Sequence, residues 1–313
     1  MILLPRYKDF EAQSPLIISP RMTGRFKFTA IGLDGRERPL TGWISNLVLD
    51  SGLNLLGTQN VLSYCHVGTS NTAATVGQTA LVAWIAASSS IQETSVSSQA
   101  SAPYYGRIVR RYRFNQGVAT GNLNEVGVGV VGSNSSMWSR AVIVDEFGTP
   151  TTITVLATEV LDVTYELRLY PPLVDGGPVT INIAGVNYDV TWRAANVTGN
   201  VWSSWLGQSV SYTPSGGNTY GVYNGLMNAS ITGWPSGTSQ SGSPVTAAYS
   251  NNSLQRDATV SFGLNEGNLS GGIKSTSLYT SVGGYQFQFN NPIPKDGTKT
   301  LTLTHRVSWS RYP

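Results

Sequence analysis

The side chains able to do acid–base or nucleophilic chemistry are few. The chain holds two histidines, His66 and His305, and one cysteine, Cys65. Cys65 and His66 are neighbours, and a nucleophile must lie within hydrogen-bond reach of its base. On a strand, adjacent side chains leave opposite faces. The pair therefore reads as structural, with Cys65 a small buried residue, and His305 reads as a surface or groove residue of a strand. A lone cysteine also excludes an internal disulfide framework and a Cys-rich zinc site.

The carboxylates are more scattered. Asp145-Glu146 falls at a turn and Glu159 with Asp162 at a strand start, while Glu125 and Glu266 sit in the similar contexts GNLNEVG and GLNEGN. Glycan-cleaving enzymes hold two carboxyl groups at a set separation, and no spacing here imposes one. The acids match no D-x-[DN]-x-[DN]-G calcium loop. The glycines of 117–132 fit neither phosphate-binding pattern. The sequence thus predicts no catalytic residue, no metal site and no cofactor.

Residues suited to binding are more numerous. Arg107, Arg110, Arg111 and Arg113 interleave with Tyr104, Tyr105, Tyr112 and Phe114, a mixture that can serve nucleic acid. The run reads instead as an edge strand whose charges discourage edge-to-edge pairing, and no nucleic-acid partner is expected. Between residues 192 and 234, rings alternate with Ser, Gly and Asn. Rigid rings with adaptable hydrogen-bonding neighbours make recognition surfaces: ring faces stack on sugar C–H groups while amides and hydroxyls bond the sugar hydroxyls. Tyr220, Tyr223 and Trp234, beside Gly and Asn, are the binding candidates. Trp192 and Trp202 read as core.

The elements that must position these residues are strands. Asp, Glu, Lys and Arg make up 12% of the 313 residues, about half the usual share of roughly 25%. Helices keep a charged outer face, whereas Ser/Thr/Asn-rich surfaces suit sheets. In 149–172, Leu161, Val163, Tyr165, Leu167 and Leu169 alternate with Asp162, Thr164, Glu166 and Arg168. That is the two-residue period of a half-buried antiparallel strand, stopped by Pro171-Pro172. The last residues, 298–313, alternate in the same phase and also end in Tyr-Pro. Overlaying Tyr170 on Tyr312 sets Leu161 on Leu303, Tyr165 on Val307 and Leu167 on Trp309, a weak internal repeat.

The expected fold is all-β, with two β-sandwich-like units. An extended arm covers 1–23, one β-domain covers 24–172, and a second covers 173–313, with the joint near 172–178. Hairpins are expected at Asp34-Gly35 and Ala184-Gly185, and a short helix around 51–56, capped by Ser51 and stopped by Gly57. The Ser- and Ala-rich stretch 86–102 reads as a long exposed loop. No membrane insertion is expected, since no stretch approaches about 20 apolar residues, and the N-terminus lacks the pattern of a signal peptide. The arm 1–23 and the strand 149–170 offer more apolar edge than a monomer is expected to bury, which predicts a homo-oligomer, a trimer first of all.

The linked motifs NLVLDSGLNLLG, VGTSNTA, FNQGVATGNLNEVGVG and SRAVIVDEFGTPTTITVLATEVLDVTYELRLYPP resemble structural proteins of tailed-bacteriophage tails, of the tail-fibre and baseplate-associated kind. The resemblance covers roughly 24–172, with GGIKSTSLYTSVGGYQFQFNNPIPK a fainter match in the second half. It implies a virion protein of the tail, assembled in the host cytoplasm, that contacts other virion proteins and attaches through its first half. It maps no catalytic residue onto this chain. A bacterial surface glycan is a further partner in this reading. A capsid or neck decoration protein is the alternative, and a tailspike-type glycan hydrolase a more distant one.

Overall fold

The computed structural model describes residues 8–12, 15–214 and 219–313. It is all-β, with several separate sheets and none closed. Sheet I runs in the order Ser310–Arg311, Arg21–Ile31, Val160–Tyr170, Gly106–Phe114, Ile91–Ser98, and Glu37–Pro39 and Ile44–Ser45 also pair with Arg21–Ile31. Sheet II runs Leu47–Val48, Met137–Val142, Glu125–Gly129, Tyr64–Gly68, Trp84–Ser88. Sheet III runs Gly176–Ile183, Val186–Ala195, Gly283–Ile293, Ile273–Thr280, Tyr220–Tyr223, Ser239–Gly242. In sheet IV, Lys8–Glu11 and Leu16–Ile18 lie along Lys299–Ser308, followed by Gln255–Phe262 and Val245–Thr246.

The long amphipathic strand is central. Val160–Tyr170 pairs antiparallel with Arg21–Ile31 on one side and Gly106–Phe114 on the other. Its inward residues Leu161, Val163, Tyr165, Leu167 and Leu169 are all fully buried. Sheet II covers that face: the Trp138 indole donates to the Tyr165 hydroxyl at 2.9 Å. Sheets III and IV pack in the same manner, with the His305 ring of sheet IV 4.9 Å from Phe287 and 5.0 Å from Tyr220 of sheet III. Face-to-face burial of alternating residues is what a sandwich requires. The expected hairpin turns form: Gly35 has φ +76°, and Ala184 and Gly185 have φ +51° and +86°, the two positive values a type I′ turn needs.

Sheet membership changes at 172–178, where Val160–Tyr170 of sheet I gives way to Gly176–Ile183 of sheet III. The termini, however, cross over. The N-terminal strands run parallel to Lys299–Ser308 in sheet IV, and the C-terminal Ser310–Arg311 runs parallel to Arg21–Ile31 in sheet I. One buried apolar cluster extends through both halves. The helix Asp50–Leu55 is a docking point, since Trp309 donates its indole N–H to Leu53 O at 2.7 Å and Tyr249 its hydroxyl to Asn54 at 2.9 Å.

Several sequence expectations are corrected. Residues 86–102 are not one long loop: Trp84–Ser88 and Ile91–Ser98 are edge strands of sheets II and I. An edge strand open on both faces needs little apolar side chain, so composition hides it. The arginine-rich Gly106–Phe114 is not an edge, because it lies between Val160–Tyr170 and Ile91–Ser98. Its outward arginines are matched by carboxylates of the neighbouring strand. Arg113 forks onto Asp162 at 2.8 Å, and Glu166 lies within salt-bridge reach of Arg25, Arg107 and Arg168. Burial pushes the Glu166 carboxyl up, but hydrogen bonds from Arg25 and Arg168 outweigh it and hold it below its ordinary value.

The helix forms where expected, yet its cap is Leu49 with no side-chain bond, and the Ser51 hydroxyl donates instead to Met137 O and Gln78 O. In the arm, Met1 to Tyr7 lie outside the described residues. Phe10, Leu16 and Ile18 are buried against the chain's own Lys299–Ser308. Among the described residues of the arm, these three are thus covered within one chain, while Ile17 is 45% exposed.

Candidate functional site

The two faces of sheet III differ in chemistry. Along Tyr220–Tyr223, Tyr220 and Val222 turn inward, while Gly221 and Tyr223 turn out. Register carries this parity across the sheet. Gly221 is opposite Ser277 and Ser241, and Tyr223 is opposite Ser275 and Ser239. At this end of the sheet the outer face therefore carries hydroxyls, with Tyr279 in the same row as Ser275 and Ser277, and the register continues it to Gln286, Gln288 and Arg193. Residues 224–238 fold back over this face and are fastened to it by glutamine side chains: the backbone N–H of Met227 donates to Gln288 Oε1 and that of Asn228 to Gln286 Oε1, at 3.1 and 2.7 Å.

At the rim of that loop lies a shallow groove of about 260 Å³. Its walls are Tyr223, Trp234 and Tyr279, with Ser239, Ser241, Ser277 and Gly221 between them. The Trp234 ring lies directly on Gly284, where an added Cβ would come within 2.6 Å of it. Gly221 is equally constrained, since a Cβ there would meet the Tyr223 ring at 2.9 Å and the Ser277 hydroxyl at 3.0 Å. The Tyr223 and Ser277 hydroxyls are 3.1 Å apart. Trp205 donates its indole N–H to the Tyr279 hydroxyl at 2.7 Å, fixing that ring from behind. Burial raises the Tyr279 phenol above its ordinary value, and the Trp205 bond pulls the other way. Among the described residues, the groove lining contains no charged side chain.

All three candidates from the sequence line this groove, although they differ in exposure. Tyr223 and Trp234 are half-buried. Tyr220 is 2% exposed and is corrected from surface ring to floor support. Its ring packs edge-on against His305 and 6.2 Å from Phe262. The reason is parity: residues three apart on a strand point to opposite faces, so Tyr220 and Tyr223 cannot both face out. Tyr279 and the serines were missed by sequence reasoning. Their signal is the alternation Ser275, Ser277, Tyr279 within Ile273–Thr280.

The acid–base candidates occupy structural positions. Cys65 and His66 are both fully buried. Burial pushes the Cys65 thiol up and the His66 imidazole down to about 4. His305 is likewise fully buried, which lowers it to about 3, so it is neither a surface nor a groove residue. Glu125 and Arg140 form a salt bridge at 2.8 Å with neither side chain exposed. Glu125 also accepts the Val82 and Ala83 N–H groups, and Arg140 donates to Thr72 O and Gln78 Oε1. The similar context of Glu266 leads elsewhere: it is exposed and accepts from Gly263 N. Among the described residues, no group of three His, Cys, Asp or Glu side chains is placed to hold a metal ion.

No protein-family model, curated protein or solved structure matches the chain.

Proposed function

We propose that this chain is a structural protein of a tailed-bacteriophage tail, a fibre or baseplate component, that attaches the particle to a neutral glycan of the host surface through the groove on sheet III. The observation that carries the attachment role is the groove itself: three half-buried rings around serine hydroxyls, with no charge among them. Sugars offer apolar C–H faces and outward hydroxyls, and such walls and floor match both. An acidic ligand would find no cation to pair with there. Lacking a carboxylate, the groove is suited to hold a sugar and not to cleave one.

The tail assignment draws on the motifs of 24–172, which build sheets I and II, and on the low-charge, hydroxyl-rich surface. In this reading the first half contacts other virion proteins and sheet III faces outward.

Two measurements test the reading. The purified protein is applied to an array of neutral and acidic bacterial oligosaccharides, and Trp234→Ala is compared with the parent. Binding to neutral members that Trp234→Ala weakens about 30-fold or more, the scale of a hot-spot ring, supports the groove. Binding confined to acidic members, or indifferent to the substitution, refutes it. Antibody against the chain should decorate the tail in negatively stained particles, and labelling of the capsid or neck would overturn the tail assignment.

A further inference from the structure

The strand Ile91–Ser98 closes sheet I on one side. Among the described residues its backbone ladder has one partner, Gly106–Phe114, so the opposite edge presents unpaired N–H and C=O groups. Residues 91–96 are exposed on both faces. Val96 lies opposite Ile108 and Ile91 opposite Tyr112, on the side of the sheet that faces the core. Ile108 and Tyr112 are 4% and 0% exposed, whereas Val96 and Ile91 are 44% and 38% exposed. The inward apolar row of sheet I thus continues onto its edge strand and is left uncovered there.

Natural sheets guard such edges with Lys, Pro, a bulge or a covering loop. The sequence IQETSVSS has neither Lys nor Pro. Its irregularity falls at Gln92, where the register shifts between Arg111 and Tyr112, and leaves 93–98 regular. Its one charge, Glu93, lies 3.5 Å from Arg111 of the neighbouring strand. A charged partner strand would therefore gain little from this edge.

We infer that Ile91–Ser98 pairs antiparallel with the same strand of a second copy, joining the two first sheets across a two-fold axis. A two-fold interface must be self-complementary, and this edge is. Centred on Ser95, the pairing sets Thr94 opposite Val96 of the second copy and Glu93 opposite Ser97. Inward residues meet inward ones, and no like charges face each other. The same centre brings the uncovered Val96 and Ile91 side chains of both copies onto one face. Head-to-tail growth through this sheet has no matching partner, because its other side ends in Ser310–Arg311, only two residues long. The inference does not depend on the groove of sheet III.

Mass measurement by light scattering at micromolar concentration tests it, with two kinds of variant. The parent is expected at twice the single-chain 33.5 kDa. The exposed double variant Ile91→Lys/Val96→Lys is expected at the single-chain mass, with unchanged far-ultraviolet circular dichroism. Separately, Ser95→Cys, at the two-fold axis, should form an intermolecular disulfide on mild oxidation, because directly opposed Cβ atoms lie within bridging range. The native Cys65 is fully buried and does not compete. A monomeric or trimeric parent overturns the inference, as does a dimer that Ser95→Cys does not cross-link. If the lysine variant misfolds, the cross-link decides alone.

Discussion

The Tyr312 ring stacks on the Tyr170 ring with centroids 4.1 Å apart and planes 28° apart. The two Tyr-Pro strand ends, far apart in sequence, meet at one end of sheet I. Tyr105 joins them at 5.6 Å from Tyr170, and the Arg168 guanidinium lies 4.3 Å over the Tyr105 ring. The contact exists because Ser310–Arg311 has crossed from the sheet IV side to pair with Arg21–Ile31. The C-terminus thereby fastens the second half of the chain to the first, just as the N-terminal strands fasten the first to the second.

Tyr312→Ala should therefore loosen the joint without unfolding either sandwich. An aromatic pair contributes about 0.5–1.5 kcal/mol beyond its buried area. The expected result is that limited thermolysin digestion cuts within 172–178 faster than in the parent, with a small drop in thermal midpoint. An unchanged rate of cutting there would show that the stack does not restrain the joint.

The buried pair Glu125–Arg140 holds the segment 69–83 against sheet II. Removing one partner leaves the other charge buried without compensation, at a cost of about 3–5 kcal/mol. Glu125→Leu should approach that loss in urea unfolding and expose 69–83 to proteases. Replacing both residues with apolar ones should recover part of the stability but not the fastening of the loop, whose Val82 and Ala83 N–H groups would lose their acceptor. If Glu125→Leu costs under about 1 kcal/mol, the loop is held by other contacts.

Acid should destabilise the protein above the carboxylate range. Burial lowers His66 to about 4 and His305 to about 3, whereas both titrate near 6.5 once unfolded. Between these values the unfolded chain holds more protons than the folded one. Stability is thus full above about pH 6.5 and falls as pH drops towards the folded values, by up to about 1.4 kcal/mol per pH unit for each histidine. Glu159 and Glu166, both held below their ordinary value, add their loss only at lower pH. The urea midpoint should therefore already fall between about pH 7 and 5, with a shallower slope in His66→Gln. A midpoint flat over that window would mean that the folded chain accepts protons on these rings.

Much of the fold is legible because one face of each long strand is dry. The alternation through Val160–Tyr170 and Lys299–Ser308 marks the two sandwiches, and Pro171-Pro172 marks the change of sheet. Ile91–Ser98 is not legible, since an edge strand open on both faces carries no alternation. The arginine run misleads for a different reason: the carboxylates that neutralise it, Asp162 and Glu166, belong to a strand distant in sequence, and only register brings them together. The arm's destination is also a matter of register, between residues nearly three hundred positions apart. In the groove, Tyr223 and Trp234 stand out by their Gly, Ser and Asn neighbours. That Tyr220 and Tyr223 face opposite sides follows from their odd spacing, whereas which of the two turns inward is set by the packing of sheet IV against Tyr220.

That parity separates two roles that substitution can tell apart. The Trp234 ring rests on the backbone of Gly284, so Gly284→Ala should displace the ring without substituting any groove-lining residue. Glycan binding should weaken in Gly284→Ala as it does in Trp234→Ala, with both proteins soluble and folded. Tyr220 behaves as core: its ring packs on His305 and Phe262, and its hydroxyl lies 3.4 Å from His305 Nε2. Tyr220→Ala should cost about 3–5 kcal/mol, the loss typical of a large buried ring, measured as a shift in urea midpoint. Tyr220→Phe should keep most of that stability and bind as the parent does, because the hydroxyl faces the core and not the groove. Parent-like affinity in Gly284→Ala together with weakened binding in Tyr220→Phe would place recognition on the opposite face of sheet III and remove the groove from the mechanism.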